Sequence, residues 1–119
     1  FCFVYDYPIA QASLSAIEIN SDNEEVAKRF EVYCRGMELA NGYLELIDGE
    51  EQRKRFEADN ALREEQGREV YPLDEKFLAA LESGLPACSG VALGIDRLLM
   101  ALHKLADIDQ AISFTLGRA

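Results

Sequence analysis

The sequence predicts an α+β fold, an antiparallel sheet flanked by helices, in one domain over residues 1–119. Three observations predict it. Apolar and polar residues alternate around 30–35 and return through 46 after a glycine. A charged run over 48–66 carries helical i,i+4 pairs between an aspartate and a glycine. A strand-like and a helix-like stretch then follow one another over 87–103, after Pro86. At 119 residues and 49% hydrophobic content the chain has enough apolar material for one modest core.

Phe1 to Tyr7 reads as a strand ended by Pro8, which cannot donate to a ladder. Because the chain opens directly in this β-prone run, it is expected to continue a larger fold. Residues 9–23 read as a polar connection that closes in the turn formers Asn20-Ser21-Asp22-Asn23. Next comes a hairpin. Phe30, Val32 and Cys34 alternate with Glu31, Tyr33 and Arg35, Gly36 allows the turn, and Met37 to Leu46 returns. A turn centred on Arg35-Gly36 sets Cys34 opposite Met37, Tyr33 opposite Glu38, Val32 opposite Leu39 and Glu31 opposite Ala40. Directly opposed residues share a face. One face is then apolar, and the other carries Glu31, Tyr33, Glu38 and Ala40. Asn41-Gly42 interrupts the return strand, and a one-residue bulge there would bring Glu45 onto the face of Glu31 and Glu38. Without a bulge Glu45 points the other way.

Asp48 to Gln66 predicts a surface helix with Asp48 as N-cap, Gly67 as stop and a thin apolar stripe of Phe56 and Leu62. Glu50–Lys54, Glu51–Arg55 and Asp59–Arg63 are its supporting pairs. A second helix opens near Asp74 and runs to about Leu81 before Gly84. A short strand from Ala87 to Leu93, a helix from Ile95 to His103 and a closing strand from Ala111 to Leu116 complete the reading.

Composition narrows the function. The net charge is −10, from 22 acidic and 12 basic residues, which disfavours a polyanion such as tRNA as a partner of this segment. Cys2, Cys34 and Cys88 form no CxxC pair, and their odd number predicts reduced, mostly buried thiols in a reducing, cytoplasmic setting. The single histidine, His103, falls at a predicted helix end, so histidine-based catalysis has little to stand on. No apolar run approaches the roughly 20 residues that span a bilayer, and a soluble protein is expected.

Two stretches can carry chemistry. Carboxylates gathered on one sheet face raise one another's pKa unless a cation sits among them. A Mg²⁺ chelated by nucleotide phosphates is one such cation, and it takes only one or two protein carboxylates. A solvated hairpin face explains the same pattern on residues alone. The second stretch is Gly90-Val91-Ala92-Leu93-Gly94-Ile95-Asp96-Arg97. Two glycines where a strand enters a helix allow close approach, and the helix N-terminus suits an anion. Arg97 stands in the first turn against the helix dipole, which calls for a positional reason. A guanidinium that stacks on a base and meets phosphate oxygens supplies one, with Asp96 placed to orient it. Packing alone explains the glycines equally well. The stretch is neither a Rossmann fingerprint nor a P-loop.

Taken together these stretches resemble the class II aminoacyl-tRNA synthetases, specifically the lysyl branch. Gly90 to Arg97, continuing as Leu98-Leu99-Met100, is similar to the third signature motif of that superfamily. Arg29-Phe30-Glu31 and Met37-Glu38-Leu39-Ala40-Asn41-Gly42-Tyr43-Leu44-Glu45-Leu46 resemble the acidic hairpin of the lysyl enzymes, and Asp48, Glu51-Gln52-Arg53 and Arg55-Phe56 continue it. The resemblance implies the C-terminal part of the catalytic domain, with the first two motifs outside this chain, and so no activity for this piece alone. It implies that Glu31 and Glu38 hold Mg²⁺ on ATP, with Leu39 beside the nucleotide and Gly94 and Arg97 in the ATP site. Arg97, the expected catalytic residue, would lie over the adenine and near the terminal phosphates. It implies further that Asn41, Glu45, Gly90 and Ala92 line the amino-acid site, with Glu45 pairing the substrate's ammonium.

Ala40 and Ala92 stand where lysyl-tRNA synthetases usually have glycine, and both methyl groups are expected near the amino-acid pocket. Cys88-Ser89-Gly90-Val91-Ala92-Leu93-Gly94 and the terminal Arg118-Ala119 resemble a shorter branch of the family without an anticodon-binding domain. That branch attaches a β-lysine-type residue to a lysine of elongation factor P, and its members are expected to dimerise. A tRNA-charging lysyl enzyme and a non-catalytic synthetase-like binding module are the alternatives. Retention of Glu31, Glu38, Glu45 and Arg97 together favours an ATP-dependent ligase.

Overall fold

The computed structural model describes residues 1–115 and 117. Its five strands are β1 (Cys2–Tyr7), β2 (Ile17–Ile19), β3 (Glu25–Cys34), β4 (Met37–Leu44) and β5 (Ser89–Leu93). Its α-helices are α1 (Gly49–Glu65), α2 (Glu75–Glu82) and α3 (Ile95–His103), with short 3₁₀ turns at Ile9–Gln11 and Ile108–Gln110. The predicted α+β class is observed. All paired strands are antiparallel in the order β1-β3-β4-β5.

β2 was not expected. Ala27 of β3 pairs with Tyr7 on one side and with Ile17 on the other, so β2 lies in line with β4, across β3 from β1. Backbone bonds Ala16 N–H to Leu44 O (2.8 Å) and Leu46 N–H to Leu14 O (2.9 Å) sew the join. The Ile17-Glu18-Ile19 alternation is too short to stand out as a strand by itself, and the pairing comes from β3, which starts at Glu25.

The hairpin turn falls where expected. Arg35 and Gly36 have φ of 52° and 79°, and Cys34 opposes Met37 and Tyr33 opposes Glu38. The bulge occurs earlier than expected, at Leu39. Val32 therefore pairs with Ala40 and Glu31 with Asn41, instead of with Leu39 and Ala40. Gly42 needs no bulge. It makes room for the Phe30 ring, whose Cε1 would lie 2.5 Å from a Cβ at that position. Ala40 thereby turns to the apolar face, buried between Val32 and Leu93, while Glu45 reaches the acidic face as the bulge requires.

Asp48 caps α1, accepting from the backbone N–H of Glu50 and Glu51, and Asp74 caps α2 through Phe77 N–H. Glu50–Lys54 (2.9 Å) and Glu51–Arg55 (3.0 Å) form. Asp59–Arg63 does not form among the described residues: Arg63 lies over the Tyr71 ring and donates to Glu69 O. α1 is mostly exposed, but Gly49 and Gln52 are buried at its start, close to α2. The core gathers Val26, Ala27, Cys34, Leu39, Ala40, Leu78, Leu81 and Met100. Phe3, Tyr5, Val91 and Leu93, on the same sheet face as Phe30 and Val32, remain exposed.

Two terminal expectations change. Residues 111–115 form turns and bends, not a strand, and Leu116, Arg118 and Ala119 lie outside the described residues. Cys2 is exposed and Cys88 half-buried, so only Cys34 is the buried thiol expected, and all three are free. His103 is the exposed last residue of α3, as predicted. No helix of the described residues is long and apolar enough to cross a membrane.

Candidate functional site on the acidic sheet face

The antiparallel register builds the site in rows. Glu31 on β3 faces Asn41 on β4, which faces Ala92 on β5. The next row holds Arg29, Tyr43 and Gly90. Side chains alternate along a strand, so both rows lie on one face, with Tyr33 and Glu38 above them and Glu45 below. At about 3.3 Å per residue, Glu38 and Glu45 stand roughly 20 Å apart. Among the described residues no three His, Cys, Asp or Glu side chains converge on a ready-made metal cage. The expected crowd of carboxylates is thus a line, with Glu38 at one end and Glu45 at the other.

The cation that such a face requires is part of the chain. Arg29 donates through Nη2 to Glu31 Oε1, through Nε to Asn41 Oδ1 at 3.2 Å and through Nη1 to Gln11 O at 3.1 Å. Its guanidinium lies between two rings, 4.7 Å from the centre of Tyr7 and 5.8 Å from that of Tyr43. Tyr33 donates its hydroxyl to Glu31 Oε2, and Asn41 Nδ2 donates to Tyr43 Oη at 3.1 Å. Glu31 is only 5% exposed. Its carboxyl is nonetheless held below the ordinary glutamate range, chiefly by the Tyr33 hydroxyl, then by Tyr7 and Arg29, which together outweigh burial. Burial beside this carboxylate pushes the Tyr7 phenol up, and the bond to Glu31 does the same to Tyr33. Sequence reasoning passed over Arg29, Tyr7, Tyr33 and Tyr43 as site residues. Period two was the available signal, since Arg29 and Tyr33 stand two residues either side of Glu31.

Glu45 sits over a glycine. A Cβ at Gly90 would lie 2.5 Å from Glu45 Oε1, so the missing side chain is the seat of the carboxylate. Ala92 faces the site beside Asn41 and is exposed, whereas Ala40 faces away. Only one of the two methyl groups expected near the pocket is there, because the bulge at Leu39 turned the other to the back.

At the opposite end, Gly94 N–H donates to Leu39 O at 2.8 Å, which ties the start of α3 to the bulge. The Leu39 side chain is buried, so only its backbone borders the site. Arg97 Nη1 donates to Glu38 O at 3.0 Å and the residue is exposed. That carbonyl, not Asp96, orients it: among the described residues Asp96 makes no ion pair with Arg97. The Glu38 carboxylate has no partner among the described residues.

The donor set suits a hard cation that arrives with phosphates. Glu31 is held ionised, its oxygens keep lone pairs beyond the bonds they accept from Arg29 and Tyr33, and Glu38 has no partner among the described residues. Arg97 at the same end offers a guanidinium to phosphate or a purine ring. At the other end, the Glu45 carboxylate seated over Gly90 suits an ammonium. A cavity of about 470 Å³ between α1 and residues 66–74 touches none of these residues, whereas hollows of about 430 and 270 Å³ border Arg29, the second also Tyr43.

Residues 1–117 match the family model described as tRNA synthetases class II (D, K and N). Among curated proteins, the chain is similar to the elongation factor P–(R)-β-lysine ligase of Pectobacterium atrosepticum, at 54% identity over 117 residues. It is 55% identical over 117 residues to the protein of that name from Proteus mirabilis, and 50% identical over 116 to that of Avibacterium paragallinarum. Each match takes in 98% of this chain, which spans 35% of the length of these relatives.

Proposed function

The chain belongs to the class II tRNA synthetase (D, K and N) family, and from that premise we propose that the full-length gene product is an ATP-dependent ligase. It activates lysine or β-lysine as an adenylate and transfers it to a lysine of elongation factor P. The seat of Glu45 over Gly90 carries this reading. Of the three amino acids the family's name covers, a cationic one fits a carboxylate with no cation of its own among the described residues, and an anionic one does not. The names of the relatives supply the acceptor.

The reaction begins with attack of the amino acid's carboxylate on the α-phosphorus of ATP, releasing pyrophosphate. The acceptor amine then attacks the acyl carbon and AMP leaves. Both steps ask for positioning and charge neutralisation more than for proton transfer. Glu31 and Glu38 would hold Mg²⁺, which supplies positive charge to the phosphates of ATP. Gly94 and the backbone of Leu39 shape the nucleotide end, and Arg97 meets the phosphates and the adenine. Glu45 pairs with the side-chain ammonium, Asn41 also binds the amino acid, and the Ala92 methyl beside Asn41 narrows the pocket. A cytoplasmic homodimer acting without tRNA completes the proposal, and the net charge of −10 on this segment agrees with a protein acceptor over a polyanion. These 119 residues alone are expected to be inactive.

The test is an acceptor assay. The full-length gene product receives ATP, Mg²⁺ and either lysine isomer, with elongation factor P and lysine tRNA both present. Mass added to the factor alone supports the reading. Charging of tRNA instead would make this an ordinary lysyl enzyme, and modification of neither would leave a binding module.

A further inference from the structure

We propose that Arg29 is a positioning residue that couples the two ends of the site, so that binding of the nucleotide and binding of the amino acid reinforce each other. The proposal rests on the functional reading above, since it presupposes those two ligands.

Arg29 has no guanidinium nitrogen to spare. Nη2 goes to Glu31, Nε to Asn41 and Nη1 to Gln11 O, while the Tyr7 and Tyr43 rings lie 4.7 and 5.8 Å from the guanidinium carbon. Its side chain is 18% exposed. A guanidinium with each of its three nitrogens already bonded and two aromatic rings close by is committed to holding its neighbours. Arg97 presents the contrast, with one bond to a carbonyl and an exposed side chain. What Arg29 does is hold two functional residues on neighbouring strands with one rigid plane. Glu31 and Asn41 face each other in the middle row, the first assigned to the nucleotide and the second to the amino acid, and Asn41 bonds on to Tyr43, two residues from Glu45.

The consequence follows from the geometry of the fork. A planar guanidinium fixes the angle between its acceptors, so Glu31 and Asn41 cannot reorient independently. When a ligand draws Glu31 into place, Arg29 carries Asn41 with it, and the second ligand meets a residue already ordered. Linkage makes the effect reciprocal and equal for both ligands. Lysine keeps the charge but loses the fork and most of the stacking, so it can neutralise Glu31 without joining it to Asn41.

The test measures lysine affinity of the full-length gene product by calorimetry, with and without a non-hydrolysable ATP analogue and Mg²⁺. The analogue is expected to tighten lysine binding by about tenfold, within the usual range of coupling. In Arg29→Lys that factor is expected to fall towards one, beyond any loss in the affinity for either ligand alone, a split that general loss of structure would not produce. Tyr7→Leu leaves Arg29 in place but removes one wall of the stack, and is expected to weaken the coupling in part. It serves as the second variant should Arg29→Lys fail to fold. Methylguanidinium added to Arg29→Ala is expected to restore part of the factor. Wild-type coupling in both Arg29→Lys and Tyr7→Leu overturns the inference alone, as does a wild-type protein that binds both ligands without coupling. A wild-type protein that binds neither ligand overturns the functional reading, and the inference with it.

Discussion

Glu45 occupies the space that a side chain at residue 90 would fill, its Oε1 standing 2.5 Å from where a Gly90 Cβ would be. The obstacle to a methyl group is the far end of a flexible side chain, so the protein can yield by moving the carboxylate. Gly90→Ala is therefore expected to leave thermal stability nearly unchanged, within roughly 0.5 kcal/mol. Lysine affinity, in contrast, is expected to fall by about tenfold or more as Glu45 swings off its seat. Denaturation and calorimetry on the full-length gene product separate the two readouts. Lost stability with intact affinity would mean that Gly90 serves the fold and not the site.

Gly42 makes the opposite prediction. Its added Cβ would meet Phe30 Cε1 at 2.5 Å, Phe30 Cζ at 2.6 Å and the Gly90 carbonyl at 2.8 Å. The Phe30 ring is half-buried and would have to shift, and the Gly90 backbone oxygen has nowhere cheap to go. Gly42→Ala is expected to destabilise by about 1–3 kcal/mol through overpacking. Chemical denaturation checks this, and Phe30→Leu in the same background is expected to recover part of the loss. Unchanged stability would show that the Phe30 ring moves freely.

Much of this was legible beforehand because period two is a strong signal in a half-buried strand. It placed Glu31, Tyr33 and Glu38 on one face, fixed the turn at Arg35-Gly36 and foresaw that one bulge would decide where Glu45 points. It misplaced the bulge at Asn41-Gly42, because a glycine that admits a neighbouring ring and one that marks a bulge look identical in sequence. That single error also misread Ala40, whose methyl lies on the back of the sheet. Arg29 was visible as a motif letter but not as the cation of the site, since its three acceptors come from residues 11, 31 and 41. β2 was hidden for a related reason: three residues become a strand only when β3 runs past the end of β4.

Arg97 illustrates a residue held lightly for use elsewhere. One bond to Glu38 O and an exposed side chain give it little part in folding. Arg97→Ala is expected to change stability by less than about 0.5 kcal/mol. Its loss is expected to weaken binding of the ATP analogue by about tenfold or more, since charge-assisted bonds to phosphate are the strong ones. Arg97→Lys is expected to recover little, because an ammonium neither stacks on a purine nor forks onto phosphate oxygens. Full recovery in the lysine variant would reduce the role of Arg97 to that of a point charge.

Glu31 ties stability to pH in a defined direction. The Tyr33 hydroxyl above all, with Tyr7 and Arg29, holds its folded-state carboxyl below the unfolded value, and burial only partly offsets them. A depressed acid contributes stability that is complete above the unfolded pKa of about 4.3 and lost as pH falls through the folded value. In Glu31→Gln that contribution is absent at every pH. The stability difference between wild type and variant, measured by urea denaturation without divalent metal, is therefore expected to be constant near neutrality and to shrink below about pH 4.3. The slope has this sign because the unfolded chain binds the proton first. Two parallel stability curves down to the acid limit would show that Glu31 ionises in the native sheet as it does in water, and that its three partners do not favour the charged form.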